Sequence, residues 1–164
     1  MRKVLLAVVV AGFAMAMAGG AEAQKSKYKK YTKQSLSNLL LLCVEGDETG
    51  CYFYGGMQAK RGNFKEAHDA YLIGAQNAKS RAGFVSMFKL AGLYYKGKGV
   101  KKDLVQAYRW FDVVKSRQKS KDLRGAASGK LTEIEDQMTA KQISLARALA
   151  KTWAHDGGKE TKKK

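Results

Sequence analysis

The chain has no proline, and only two cysteines, two histidines and two tryptophans among its 164 residues. Acidic residues are few as well, 14 against 31 lysines and arginines, for a formal charge of +17. Each scarcity excludes something. Without proline there is no proline-rich linker and no second domain behind one. The isolated His68 and His155 fall short of the about four donors that a zinc site takes. No serine sits in a Gly-x-Ser-x-Gly elbow. Gly97-Lys98-Gly99 lacks the strand and helix that flank a phosphate-binding loop. The one long apolar run, Val4 to Met17, is short for a membrane span of about 20 residues.

That run has another reading. Arg2 and Lys3 precede it, and Gly19-Gly20-Ala21-Glu22-Ala23 follows. A positive start, a short apolar stretch and a small-x-small site form a secretory signal peptide, here residues 1–23 with cleavage after Ala23. An uncleaved anchor is the alternative. No cysteine follows the run to carry a lipid. The expected location is the periplasm, with secretion second, and no transmembrane segment after processing. Two basic flanks bracket the rest: 24–34, with Lys25, Lys27, Lys29, Lys30 and Lys33, and 157–164, with Lys159 and Lys162 to Lys164. Both lack apolar periodicity and are expected to be flexible. They serve solubility, or they attract lipid head groups, acidic envelope polymers or an acidic protein. Nucleic acid is not an expected partner, given export and the lack of a recognition motif.

Between the flanks, residues 35–156 read as one all-helical domain. A leucine-rich helix is expected over 35–44, capped by Ser35 or Ser37. A second spans 50–60 and ends at Gly62. Asn63, with Glu66 three residues on, opens a third containing Phe64, Ala67, Ala70, Tyr71 and Gly74. A fourth covers 82–96. Asp103 caps a fifth, with Ala107, Tyr108, Phe111 and Val114 inside. A sixth covers 120–137, where Gly125, Ala126 and Ala127 allow close packing. Thr139 and Gln142 form a capping box for a seventh, with Ile143, Ala146, Leu149, Ala150 and Trp153 on one face. His68 reads as an exposed position on the third helix. Cys43 and Cys51 flank a polar, glycine-containing stretch expected to be the turn of a helical hairpin. That places the thiols within reach of a bridge; free thiols are the alternative, and a metal would need more ligands.

The most specific stretch is Ala91-Gly92-Leu93-Tyr94, then Gly97-Lys98-Gly99-Val100, Asp103, Ala107 and Trp110. Gly92 and Ala107 are small where helices would approach closely, and Tyr94, Trp110 and Phe111 are large where a layer needs filling. Gly97 and Gly99 supply freedom for a tight connection. The pattern resembles the Sel-1-like repeat, a variant of the tetratricopeptide repeat. Its signature positions here are Gly92, Leu93, Tyr94, Gly97, Gly99, Val100, Asp103, Ala107 and Trp110. An earlier unit resembles it less closely: Gly56 aligns with Gly92 and Ala67 with Ala107, through a turn four residues shorter, with Gln58 in place of the repeat's tyrosine. Exported, cysteine-rich members of the family tie a repeat's two helices with the spacing of Cys43 and Cys51. They also carry a closing helix like that at the C-terminal end here.

The resemblance implies a short right-handed α-α solenoid of antiparallel helix pairs with a C-terminal capping helix. It implies no cofactor and no common catalytic residues. Relatives linked with β-lactam chemistry have no counterpart here, since serine-lysine motifs are missing. The implied role is an adaptor that holds a protein or peptide, acidic segments being favoured, on a concave face lined by the first helix of each unit. Tyr52, Tyr54, Gln58, Arg61, Lys89 and Lys96 are its candidate contacts. The competing reading is an envelope protein attached to anionic surfaces through its lysine flanks.

Overall fold

A computed structural model describes residues 28–76 and 78–155, with the side chains of residues 154 and 155 left aside. The expected signal peptide (1–23), the tail (157–164) and the His155 side chain lie outside the described residues. Within the N-terminal flank, where no structure was expected, residues 28–32 form a helical turn. From Ser35 onward the chain forms one compact unit, and residues 28–34 belong to a separate one.

Among the described residues all regular structure is helical. The compact unit contains α1 (Leu36–Val44), α2 (Glu48–Lys60), α3 (Phe64–Gln76), α4 (Arg81–Lys96), α5 (Leu104–Arg117), α6 (Lys121–Glu135) and α7 (Ala140–His155). The starts are set by side-chain caps, which satisfy amides that a first helical turn leaves unpaired. Ser35 accepts from the Asn38 amide, Ser80 from Gly83 and Asp103 from Gln106. At α7 the capping box is reciprocal: the Gln142 amide donates to Thr139 Oγ1 at 3.3 Å, and the Thr139 amide to Gln142 Oε1 at 2.9 Å.

Two starts differ from expectation. Asp47 accepts from the Thr49 and Gly50 amides at 2.8 and 2.9 Å, so α2 begins at Glu48, inside the supposed turn. Asn63 turns its amide back to Gln58 Oε1 at 3.0 Å, with no bond to Glu66.

Helices α2 and α3 form one packed hairpin, α4 and α5 the next, and α4 also packs on α3. The first helices α2 and α4 lie side by side, whereas α3 and α5 hardly meet. The stack therefore curves with its first helices on the inner side, as solenoids do. The connection between α2 and α3 covers residues 61–63 and that between α4 and α5 residues 97–103, in keeping with the shorter first turn. The last two helices depart from the hairpin pattern: α6 and α7 both pack on α5 rather than on each other.

Helix α5 is the core of the assembly. Ala107, Tyr108, Trp110, Phe111, Val113 and Val114 are all buried. Phe111 meets Phe88 of α4 edge-on at 5.0 Å, and Trp110 meets Trp153 of α7 at 6.4 Å. Such pairs contribute beyond the area they bury.

Glycines mark the tightest fits, but not all where expected. Gly97 (φ 65°) ends α4 in the left-handed conformation, and Gly99 (φ 74°) lies flat on the start of α3, where a Cβ would overlap the Phe64 backbone. At Gly55 a Cβ would sit 2.7 Å from the Tyr71 ring. Gly92, expected at a close approach, has nothing within 4 Å of a Cβ built on it, and neither has Gly125. Of the small residues 125–127 only Ala127 is buried.

These contrasts make a paired prediction. Gly99→Ala combines a left-handed backbone with overlap and should destabilise by about 2–4 kcal/mol. Gly92→Ala, in a helix interior with open space, should stabilise by up to about 1 kcal/mol. Urea denaturation of both variants checks this; similar effects at the two sites would contradict the assignment.

Candidate protein-interaction surface

The inner face is built from repeated positions. At the offset of 36 that relates Gly56 to Gly92, Tyr52 corresponds to Phe88, Phe53 to Lys89 and Lys60 to Lys96. Tyr52, Phe53, Gly56, Phe88 and Gly92 are partly exposed, and Lys60, Lys89 and Lys96 are exposed. On α4, Arg81, Val85, Phe88, Lys89, Gly92 and Lys96 recur every three or four residues and so share one stripe. Half-buried aromatics between lysines, with glycines leaving room beside them, suit a passing peptide chain.

The expected contact residues divide. Tyr52, Arg61, Lys89 and Lys96 are at least partly exposed. Tyr54 and Gln58 are not: they are 8% and 6% exposed. Gln58 Nε2 donates to the Tyr54 hydroxyl at 2.8 Å, and Asn63 donates to Gln58 Oε1 at 3.0 Å. Where the repeat has tyrosine, this unit uses a glutamine to tie α2 to the turn beyond it. That removes Tyr54 and Gln58 from the contact set.

Other signature side chains also act within the fold. Trp110 and Ala107 are buried and Leu93 nearly so, and Val100 is partly exposed on the loop. Tyr94 and Tyr95 are partly buried against the hydrophobic core that contains Trp110. Trp110 faces Trp153, while Tyr95 donates to Glu133 Oε1 at 2.6 Å. Tyr94 shares a 3.0 Å hydrogen bond with His68 Nε2, and His68 Nδ1 lies 3.0 Å from Asp69 Oδ1. His68, expected exposed, is 8% exposed. With both ring nitrogens engaged it links α3 to α4, and the hydrogen bond to it holds Asp69 below the usual carboxylate range.

Two fastenings carried no sequence signal. Glu48 at the start of α2 accepts from the Lys79 and Ser80 amides at 2.9 Å each and from the Ser80 hydroxyl at 2.6 Å. It pins the α3–α4 connection, and Gly83 leaves the space it occupies. At the other end, the Tyr108 hydroxyl donates to Glu135 Oε1 at 2.6 Å and accepts from Arg147 Nε at 3.0 Å, joining α5, α6 and α7. Cys43 and Cys51 form a disulfide, with Cα atoms 4.3 Å apart and both residues fully buried. It ties α1 to α2. Among the described residues no group of three His, Cys, Asp or Glu could hold a metal ion, and no helix is long and apolar enough to cross a membrane.

No family model matches the chain, and no curated protein does. A solved structure does: c5321, described as a protective antigen present in uropathogenic Escherichia coli strains displaying an SLR fold. It matches with a TM-score of 0.64 at 21% identity, over 87% of this chain and 32% of that one. The chain has the SLR fold, that of Sel-1-like repeats. It spans about a third of the length of that relative. At this identity the likeness establishes the fold, and the antigen's role stays with the antigen.

Two tyrosines couple this fold to pH. Burial, aided by Tyr52, pushes Tyr71 up to about 12. Burial and the bond to Glu135 push Tyr108 to about 12. Both folded values exceed the ordinary phenol value, so the stability they confer is complete below pH ~10 and lost as pH rises toward about 12. Urea denaturation across that window should show a decline of about 1–3 kcal/mol per tyrosine. The decline should be smaller in the double variant Tyr71→Phe, Tyr108→Phe; an unchanged slope would contradict it.

Proposed function

We propose that this chain is an exported SLR adaptor that holds a protein or peptide segment on the inner face formed by α2 and α4. The observation that carries the reading is the repeated exposed stripe: Tyr52 with Phe88, Gly56 with Gly92, Lys60 with Lys96. Neither the lysine pair nor Gly92 is needed to close the fold, since Gly92 has open space and both lysines are exposed. Lysine rims give on-rate and specificity for acidic partners, and the half-buried rings supply the apolar contact. We read its action as binding: the Asp69–His68–Tyr94 hydrogen bonds join α3 to α4 and are accounted for by the fold. Export rests on the signal-like N-terminus and agrees with the Cys43–Cys51 disulfide, which persists in oxidising compartments.

The test places a photo-crosslinking residue at Lys89 in intact cells. The expected result is a discrete adduct that disappears with Lys60→Glu and Lys96→Glu, both exposed positions, and that survives removal of residues 159–164. An adduct indifferent to both substitutions, or lost with the tail, would favour attachment through the lysine flank instead.

A further inference from the structure

We propose a second docking site, separate from the inner face, at the α4–α5 loop and the start of α5. Its ligand is an acidic segment of a partner protein carrying one apolar side chain. The site begins with a hollow of about 610 Å³ lined by residues 100–105 together with Tyr94 and Gln142 of α7; the one carboxylate in this lining, Asp103, is engaged as the cap of α5. Val100, Leu104 and Val105 are partly exposed, an apolar lining large enough for one side chain of the size of leucine.

Cations crowd this hollow. Lys98, Lys101 and Lys102 fall within five residues, and all are exposed. Lys98 Nζ lies 4.8 Å from the centre of the Phe64 ring, and Lys102 and Lys130 both lie 5.7 Å from that of Tyr95. Aromatic faces hold Lys98 and Lys102 in place without neutralising them, whereas Lys130 is paired with Glu133. The nearby carboxylates are committed elsewhere: Asp103 caps α5, and Glu133 takes Tyr95 and Lys130. Like charges gathered on a rim repel, and an anionic ligand relieves that repulsion.

The backbone is fixed as well. Gly97 and Gly99 set the loop in left-handed turns, and Gly99 rests against Phe64. The Tyr94 hydroxyl is bonded to His68, which Asp69 orients. A site rigid before binding loses little entropy on engagement. A recess with an apolar lining suits a peptide side chain better than a planar bilayer does. The site rests on the binding role proposed above but not on the inner face.

The test is a ¹⁵N NMR titration of the full chain with the blocked peptide Glu-Asp-Glu-Leu-Glu-Asp. In parallel arms the leucine is replaced by glycine, or vesicles with phosphatidylglycerol are used. The expected result is saturable shifts centred on Val100–Val105, Tyr94 and Gln142. Affinity should fall about tenfold with Lys101→Glu, Lys102→Glu, as two exposed charge pairs are reversed. The glycine peptide should bind several-fold more weakly. Lys119→Glu, Lys121→Glu, the same charge change elsewhere, should alter affinity less than about twofold. Equal binding of both peptides, no saturable shift, or vesicle binding alone would overturn the proposal. Shifts centred on Tyr52 and Phe88 would also overturn it while leaving the adaptor reading intact.

Discussion

The solenoid depends on the burial of one helix on nearly every side. Helix α5 receives α4 on one flank and both α6 and α7 on others, and these last two pack little on each other, being linked by the Glu135–Arg147 ion pair. The contacts are of three kinds: Phe111 against Phe88, Trp110 against Trp153, and the Tyr108 hydroxyl between Glu135 and Arg147. Truncating a side chain as large and enclosed as Trp110 typically costs about 3–5 kcal/mol. For a domain of this size that is a large fraction of the total. The C-terminal cap holds only as long as α5 offers that surface.

The strong positive charge is compositional, and part of the acidic minority is used within the fold. Asp47 and Asp103 cap helices, Glu48 pins a connection, Asp69 orients His68, and Glu133 and Glu135 join α6 to its neighbours. Carboxylates used this way are turned toward amides, hydroxyls and rings of the fold. The lysines are mostly free of such duties and stay at the surface. Glu45, Glu66, Asp122 and Asp136 remain exposed, but basic residues outnumber them and the surface as a whole attracts anions.

Much of this was legible because it is local. The Gly97-Lys98-Gly99 connection, the Asp103 cap, the Thr139–Gln142 box and the hairpin spacing all follow from residues a few positions apart. The pairing of Cys43 with Cys51 belongs to the same class. What escaped depends on contacts between distant segments. Glu48 meets Ser80 across 32 positions, and His68 meets Tyr94 across 26. The periodicity of α3 alone could not tell that a neighbouring tyrosine would bury His68. Gly92 is typical of the repeat, yet the space beside it is open, so its spacing was readable and its surroundings were not. The replacement of the repeat's tyrosine by Gln58 was visible, but its inward turn required Tyr54 and Asn63 to be in place. The divergence of α6 and α7 also left no mark, since each carries an ordinary apolar face.

Native-state hydrogen exchange on the full chain tests the central role of α5 most directly. The amides of Tyr108 to Val114 should exchange slowest, at the rate set by global unfolding, with α6 and α7 opening earlier. If α6 or α7 remained protected under conditions where α5 had exchanged, α5 would not be the element on which the others rest.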